Sequence, residues 1–156
     1  MSLTLTRVCL HSLAHALILN FPIAHTMTEQ SILSVGTAIY EVLNDKLKGK
    51  VTKVFPIAAD EATLPYVCYH RDGLEAVPYK DFGNYTPPFA AKVTVDCYAA
   101  SYKESIQLAE AVRKALDGMY ITTSEGLTVR SCWLQDALET WADDAFVQSL
   151  VFQLKC

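Results

Sequence analysis

The chain has 156 residues, of which 51% are hydrophobic and 19% are charged, a composition typical of one globular domain and not of a disordered segment. Its formal net charge of −4 excludes a global electrostatic attraction to nucleic acid or to an anionic membrane. The five cysteines include no C-x-x-C pair, which argues against a zinc knuckle or a thioredoxin-like motif; Cys68, Cys97 and Cys132 fall in strand patterns and are expected to be reduced residues of the core or sheet.

Residues 1–26 differ from the rest of the chain. They carry one ionisable charge, Arg7, and an apolar run over residues 8–24 that His11, His15 and Asn20 interrupt. Three interpretations stay open: an early start codon or vector-derived sequence upstream of a natural start at Met27, an accessory helix, or a targeting peptide. The first is preferred, and a membrane-spanning helix is disfavoured because the run is short and polar at its centre.

The first half of the remaining domain, 27–156, predicts one helix and two strands. Thr28 is a candidate N-cap for an amphipathic helix that ends near Leu47. Val51–Ile57 and Pro65–Arg71 have the composition of short strands. Asp72–Gly73 predicts a tight turn after the second strand.

The segment from Ala76 to Pro88 is rich in proline and aromatic residues and predicts a long loop or an extended hairpin tip. Its aromatic side chains Tyr79, Phe82 and Tyr85 are candidates for a protein–protein contact. An equally weighted alternative is a loop that folds back over the sheet. A base-stacking platform is disfavoured because the segment carries a single lysine beside acidic residues.

The clearest unit runs from Phe89 to Gly118. Apolar side chains alternate along its first part, which predicts a strand with one buried and one polar face. Ser101 and Glu104 form a capping-box pattern that begins an amphipathic helix. Gly118 follows as the expected left-handed residue at the helix end.

The last third predicts two strands. One runs over Leu127–Trp133, with a further extension to Trp141 left open, and pairs with Phe146–Lys155 through a turn at residues 142–144. The order is then α-β-β-β-α-β-β. We therefore expect an α+β fold, with an antiparallel sheet of about five strands and two helices packed on one face.

Catalytic motifs are lacking in the sequence: no nucleophile elbow, glycine-rich phosphate loop or zinc-protease motif occurs. Cys68 or Cys97 with His70 could form a nucleophile–base pair, but a solvent-exposed histidine at a strand end is favoured. Cys9, His11 and His15 have a spacing that could bind metal on a helix, although ordinary polar residues are the preferred explanation. We therefore predict no enzymatic activity, no metal and no cofactor.

Four carboxylates lie around the last predicted hairpin: Asp136, Glu139, Asp143 and Asp144. They could hold a divalent cation, but solvating the turn, discouraging edge pairing or complementing a basic partner is preferred. Asp143 and Asp144 at the turn are the second set of candidate protein contacts, beside the aromatic segment.

The V-x-V-D-x-Y-A strand from Val93 and the following helix L-A-E-A-V-R-x-A-L-D-G resemble the small tail-completion proteins of phages and prophages. This family is related to tail-terminator and head–tail joining proteins and is often described as a domain of unknown function. The resemblance extends over residues 27–156, and the pattern that carries it is structural, not catalytic.

The resemblance implies a non-enzymatic structural protein that forms a homo-oligomeric ring, commonly six-fold, at the head-proximal end of a tail tube. Its implied partners are further copies of itself, the tail-tube protein and the head connector, with no recognition of a nucleic-acid sequence and no membrane. The implied location is the bacterial host cytoplasm during assembly and then the virion tail. The alternative is a small α+β ligand-binding or regulatory module, which predicts a deep pocket with convergent polar groups.

Overall fold

The computed structural model describes residues 31–77 and 88–156, which form two helices and seven strands in these ranges. A 3₁₀ turn, Ile32–Ser34, leads into α1. The elements are α1 (Val35–Lys46), β1 (Val54–Pro56), β2 (Tyr66–Ala76), β3 (Phe89–Ala99), α2 (Tyr102–Leu116), β4 (Ile121–Thr122), β5 (Thr128–Val129), β6 (Ser131–Ala142) and β7 (Ala145–Lys155).

A five-stranded sheet in the order β1-β2-β3-β7-β6 forms the body of the domain, and the predicted α+β class with two helices is confirmed. One pair differs from the expected antiparallel pattern, because β1 lies parallel to β2 and makes the sheet mixed. The connection between them runs back along β1, and at its end the Thr52 N–H donates to the Pro65 carbonyl (2.8 Å). This return run allows two strands that are close in sequence to pair in parallel.

Both helices cover the same face of the sheet. The core beneath them consists of fully buried side chains from α1, α2, β3 and β7: Ile39, Leu43, Val93, Val95, Cys97, Val112, Leu116, Phe152 and Leu154. A smaller cluster of Phe55, Tyr66 and Cys68 lies on the opposite face. Since apolar side chains alternate along β3, its buried residues all point towards the helices.

The unit from β3 to Gly118 forms as its sequence predicts. Ser101 has an extended backbone, and its side chain accepts a hydrogen bond from the Glu104 N–H (3.3 Å), which caps α2. Gly118 has a φ of +76° at the other end, and its N–H donates to the Cys132 carbonyl (2.8 Å). The end of α2 is therefore joined directly to β6.

The prediction of a turn at Asp72–Gly73 is wrong. β2 continues through these residues to Ala76, and a β-bulge between Arg71 and Gly73 absorbs the irregularity. The Asp72 carboxylate accepts a hydrogen bond from Thr94 Oγ1 of β3 (2.6 Å), which links the bulge to the neighbouring strand. The β2–β3 pairing reaches Ala76 opposite Phe89.

The boundaries at the start of the domain also differ from the prediction. Ser31 is extended and the α-helix begins at Val35, while β1 is limited to three residues of the predicted Val51–Ile57. The predictions for residues 1–26, including Cys9, His11 and His15, and for the cap at Thr28 lie outside the described residues, as do Tyr79, Phe82 and Tyr85.

The extension of the penultimate strand beyond Trp133 is confirmed, because β6 runs to Ala142. The predicted connector after α2 contains β4, which pairs with β5 in a separate two-stranded ribbon. The three strand cysteines are buried and free, as expected, and so is Cys156.

Candidate interaction surface

The tip of the β6–β7 hairpin is a tight two-residue turn. Asp143 and Asp144 have φ angles of +52° and +55° between the paired residues Ala142 and Ala145. Two successive left-handed residues define the type I′ turn that matches the twist of a two-stranded ribbon, and aspartate tolerates this conformation better than most residues. Both carboxylates are exposed. The predicted turn is confirmed, and it presents two negative charges at one end of the sheet.

Aromatic side chains lie next to this tip. Trp141 and Phe146 face each other across the hairpin with ring centroids 4.7 Å apart and an interplanar angle of 78°. Tyr102, the first residue of α2, meets the Phe146 ring edge-to-face at 6.0 Å. Trp141 is 57% exposed and Tyr102 is 49% exposed. Such edge-to-face packing fixes the rings and leaves apolar area accessible to a partner.

A hydrogen-bonded carboxylate holds the patch together. Glu139 Oε2 accepts hydrogen bonds from Tyr102 Oη (3.1 Å) and from Gln148 Nε2 (3.1 Å). The bond to the carboxylate stabilises the protonated phenol and raises the pKa of Tyr102. These side chains surround a shallow depression of about 220 Å³. We use the name hairpin surface for the exposed residues Tyr102, Glu139, Trp141, Asp143 and Asp144 together with half-buried Phe146.

The outer edge of β6 divides into a covered half and an open half. At the start of β6, residues at the end of α2 form hydrogen bonds with the backbone of this edge. The Leu134 N–H donates to Asp117 Oδ1 (3.3 Å), and the Cys132 carbonyl accepts from the Gly118 N–H. A bulge separates Leu134 from Asp136. Beyond it, Leu138 is 61% exposed, and no described residue outside β7 makes a backbone hydrogen bond to Leu138–Ala142.

An unpaired edge of this kind can accept another chain, and natural proteins often guard such edges with charges. Asp136 and Glu139 occupy the open half together with exposed Leu138 and Trp141. Trp and Tyr are over-represented among the residues that dominate binding energy at protein interfaces. The hairpin surface therefore combines rigid aromatic anchors with negative charge at an open sheet edge.

The His70 cluster on the uncovered face was the sequence candidate for catalysis. His70 Nε2 lies 3.0 Å from Asp72 Oδ1, and Nδ1 lies 3.9 Å from Asp96 Oδ2. The Ser149 hydroxyl donates to Asp96 and not to the imidazole. This arrangement orients the imidazole between two carboxylates but pairs it with no nucleophile among the described residues.

The two candidate nucleophiles lie in environments that favour the neutral thiol, since the pKa of each is raised. Burial raises the pKa of Cys68, and the nearby Asp96 carboxylate raises it further. Cys97 is completely buried on the helix side of β3, and burial raises its pKa strongly. Reactive cysteines need the opposite environment, one that stabilises a thiolate. The geometry thus gives Cys68 and Cys97 the properties of packing residues.

A larger cavity of about 750 Å³ lies between the start of α1, the end of β1 and the middle of β2. Leu33, Thr37, Pro56, Tyr69 and His70 are among its lining residues. Its volume is in the range of small-molecule sites. The described residues contain no group of three or more His, Cys, Asp or Glu side chains arranged to hold a metal ion, and no helix in the same ranges is long and apolar enough to cross a membrane.

Of the five candidate contact residues, the structure brings Asp143 and Asp144 to the hairpin surface; the three aromatic candidates lie outside the described residues. Sequence reasoning missed Tyr102, Trp141 and Phe146 as surface residues. The hairpin register offered a signal, because a two-residue turn at Asp143–Asp144 places Trp141 directly opposite Phe146. Tyr102 required the tertiary packing of α2 and could not be found this way.

Comparison with solved structures identifies similar folds. A chain of the virion of a native gene transfer agent particle matches with a TM-score of 0.54 and 19% identity, covering 75% of this chain and 90% of that one. A second solved chain, whose name carries no functional description, matches with a TM-score of 0.58 and 13% identity, covering 78% and 92% of the two chains. No family model matches, and no curated protein matches. The similarity is therefore one of fold, shared over most of the domain.

Proposed function

We propose that the protein is a structural component of a phage, prophage or phage-like particle, where it forms a ring that ends the tail tube or joins the tail to the head. The observation that carries the proposal is the hairpin surface, with exposed aromatic anchors at an open sheet edge of a rigid domain. Its fold, which a virion chain of a gene transfer agent shares, and the tail-completion pattern in β3 and α2 support the same assignment.

A ring-forming protein needs a body that does not deform and two surfaces that meet in neighbouring copies. The buried core between the sheet and both helices supplies the first requirement. Asp143, Asp144 and the neighbouring aromatic rings supply one contact surface. The tail-tube protein and the head connector are the proposed axial partners, and assembly takes place in the host cytoplasm before incorporation into the tail. The role is non-enzymatic.

The test is assembly of the full chain with a tail-tube protein encoded beside it. Light scattering and negative-stain microscopy should show closed rings, or tubes whose ends carry the protein and whose lengths are limited by it. Tube protein alone is the control and should give tubes of unrestricted length. A strictly monomeric chain that leaves tube length unchanged would overturn the proposal.

The cavity beside α1 favours a second candidate, a ligand-binding or regulatory module. Its lining combines apolar Leu33, Pro56 and Tyr69 with the polar residues Ser34 and Thr37. Arg71 at the rim is already engaged, since its guanidinium donates to the Leu33 carbonyl (2.9 Å). A metabolite that raises the melting temperature of the wild type but not of Thr37→Val would favour this function over the structural one.

A further inference from the structure

Charge is segregated between two exposed segments of the domain. Residues 46–53 contain four lysines, Lys46, Lys48, Lys50 and Lys53, and no acidic residue. Residues 131–154 contain four carboxylates, Asp136, Glu139, Asp143 and Asp144, and no lysine, arginine or histidine. All eight side chains are exposed. We call the first group the lysine segment.

The two groups lie at opposite edges of one sheet. The lysine segment leads directly into edge strand β1, and the carboxylates lie on edge strand β6 and its hairpin. Four strand spacings separate these edges, which is about 19 Å. Along the strands they are at the same end, since Val54 pairs with Val67, Tyr66 with Tyr98, and Tyr98 with Val147 of the hairpin.

Within residues 31–77 and 88–156, most side chains of both groups make no ion pair. Among the described residues, the only ion pair that either group makes joins Lys46 to the adjacent Asp45 (3.2 Å). Lys53 instead lies over the Phe55 ring, 4.8 Å from its centroid. Both groups are therefore exposed, and among the described residues most of their side chains make no ion pair.

We propose that the hairpin surface of one copy docks on the lysine segment of the next copy, joining the sheets at opposite edges. Because the two surfaces are different, the contact is head-to-tail: each copy offers one of each, and repeated contacts close into a ring if the rotation permits. This inference rests on the proposed function for the closure and supplies the surfaces from which the ring is built.

The chemistry of the two surfaces fits such a contact beyond charge alone. Lysine ammonium groups bind the faces of Trp and Tyr rings, and Trp141 and Tyr102 are the exposed rings of the hairpin surface. On the receiving side, Ile57 follows β1 at the end away from the lysines, is 79% exposed and offers apolar area on the same edge of the sheet. Apolar anchors at the centre with charges at the rim are the usual layout of a protein interface.

The test uses two variants that each disable one surface. The first, Lys48→Glu/Lys50→Glu/Lys53→Glu, reverses the lysine segment. The second, Trp141→Ala/Asp143→Asn/Asp144→Gly, removes the anchor and both turn charges, while Asn-Gly keeps the type I′ turn. Circular dichroism and thermal unfolding establish that both variants fold.

Each variant alone should be monomeric under conditions where the wild type associates, with the association constant lowered at least about tenfold. Their equimolar mixture should give a one-to-one dimer by light scattering, because one intact contact remains and cannot propagate. High salt should weaken the dimer. Lys92→Glu/Lys114→Glu reverses two lysines outside both surfaces and should associate as the wild type does.

Other outcomes overturn the inference. A hairpin variant or lysine variant that still forms wild-type rings would show that other surfaces build the ring, and the proposed function would stand without this interface. A mixture that remains monomeric rules out the head-to-tail contact. Wild-type dimers or open chains joined by this contact, with no effect on tail tubes, would retain the interface and remove the proposed function.

Discussion

Strands β3 and β6 belong to the same sheet but have opposite environments. In β3, alternate residues are buried, and Val93, Val95 and Cys97 among them have no exposed surface. In β6, the residues from Gln135 to Trp141 are exposed on both faces. β3 has a neighbouring strand on each side and helices over one face, whereas β6 is an edge strand with one neighbour, and its open half meets α2 at Tyr102.

This difference separates the part of the domain that determines folding from the part available for recognition. One face of a strand is buried only if other elements cover that face. Apolar side chains therefore have different roles in covered and uncovered strands. Val95 in β3 stabilises the core. Leu138 and Trp141 in β6 keep their apolar surface in water, which is typical of residues that meet a partner.

The largest expected effect tests the buried side of this comparison. Phe152 in β7 is completely buried beneath the helices, so Phe152→Ala should lower the free energy of unfolding by about 3–5 kcal/mol. Leu138→Ala, in the exposed edge, should change it by less than about 0.5 kcal/mol. Urea unfolding followed by circular dichroism measures both. Equal losses in the two variants would show that the open half of β6 is covered in solution.

A smaller effect is expected at the hairpin tip. Asp144 has a φ of +55°, a left-handed conformation in which a β-branched side chain is strained. Asp144→Val should therefore lower the free energy of unfolding by about 1–2 kcal/mol. Asp144→Gly relieves the restriction and should not destabilise the protein. Thermal unfolding of both variants checks the turn type, and a valine variant as stable as the glycine variant would contradict it.

The fold was predictable where local signals agree. The alternation in β3, the Ser101 cap and Gly118 all specify backbone conformation within a few residues, and the structure reproduces each of them. The parallel pairing of β1 was not predictable, because it depends on a return run whose path is set by the Thr52–Pro65 contact. Asp72–Gly73 has the composition of a turn, but β2 pairs with β3 on both sides of Asp72, so the chain forms a bulge there and not a turn.

The candidate site was predictable only in part, for a related reason. Asp143 and Asp144 are marked by turn composition, which is a local property. The approach of Tyr102 to Glu139 and Phe146 arises from the packing of α2 against the hairpin, which no short-range pattern encodes. The separation of the lysines and the carboxylates to opposite edges likewise follows from the strand order, not from either segment by itself.

The smallest expected effect concerns the exposed side of α2, away from both surfaces. Arg113 donates two hydrogen bonds to Glu110 (2.7 and 2.9 Å), and these bonds lower the pKa of Glu110 to about 2, from an ordinary value of 4.5. The folded state holds this proton less tightly than the unfolded chain does. Its contribution to stability is therefore present above about pH 4.5 and is lost as the pH falls towards about 2. Glu110→Gln should make the free energy of unfolding less pH-dependent in that window. The control Glu125→Gln, at an exposed residue in no described ion pair, should follow the wild type. If the free energy of unfolding varies with pH in the same way in all three proteins, water screens the Glu110–Arg113 pair completely.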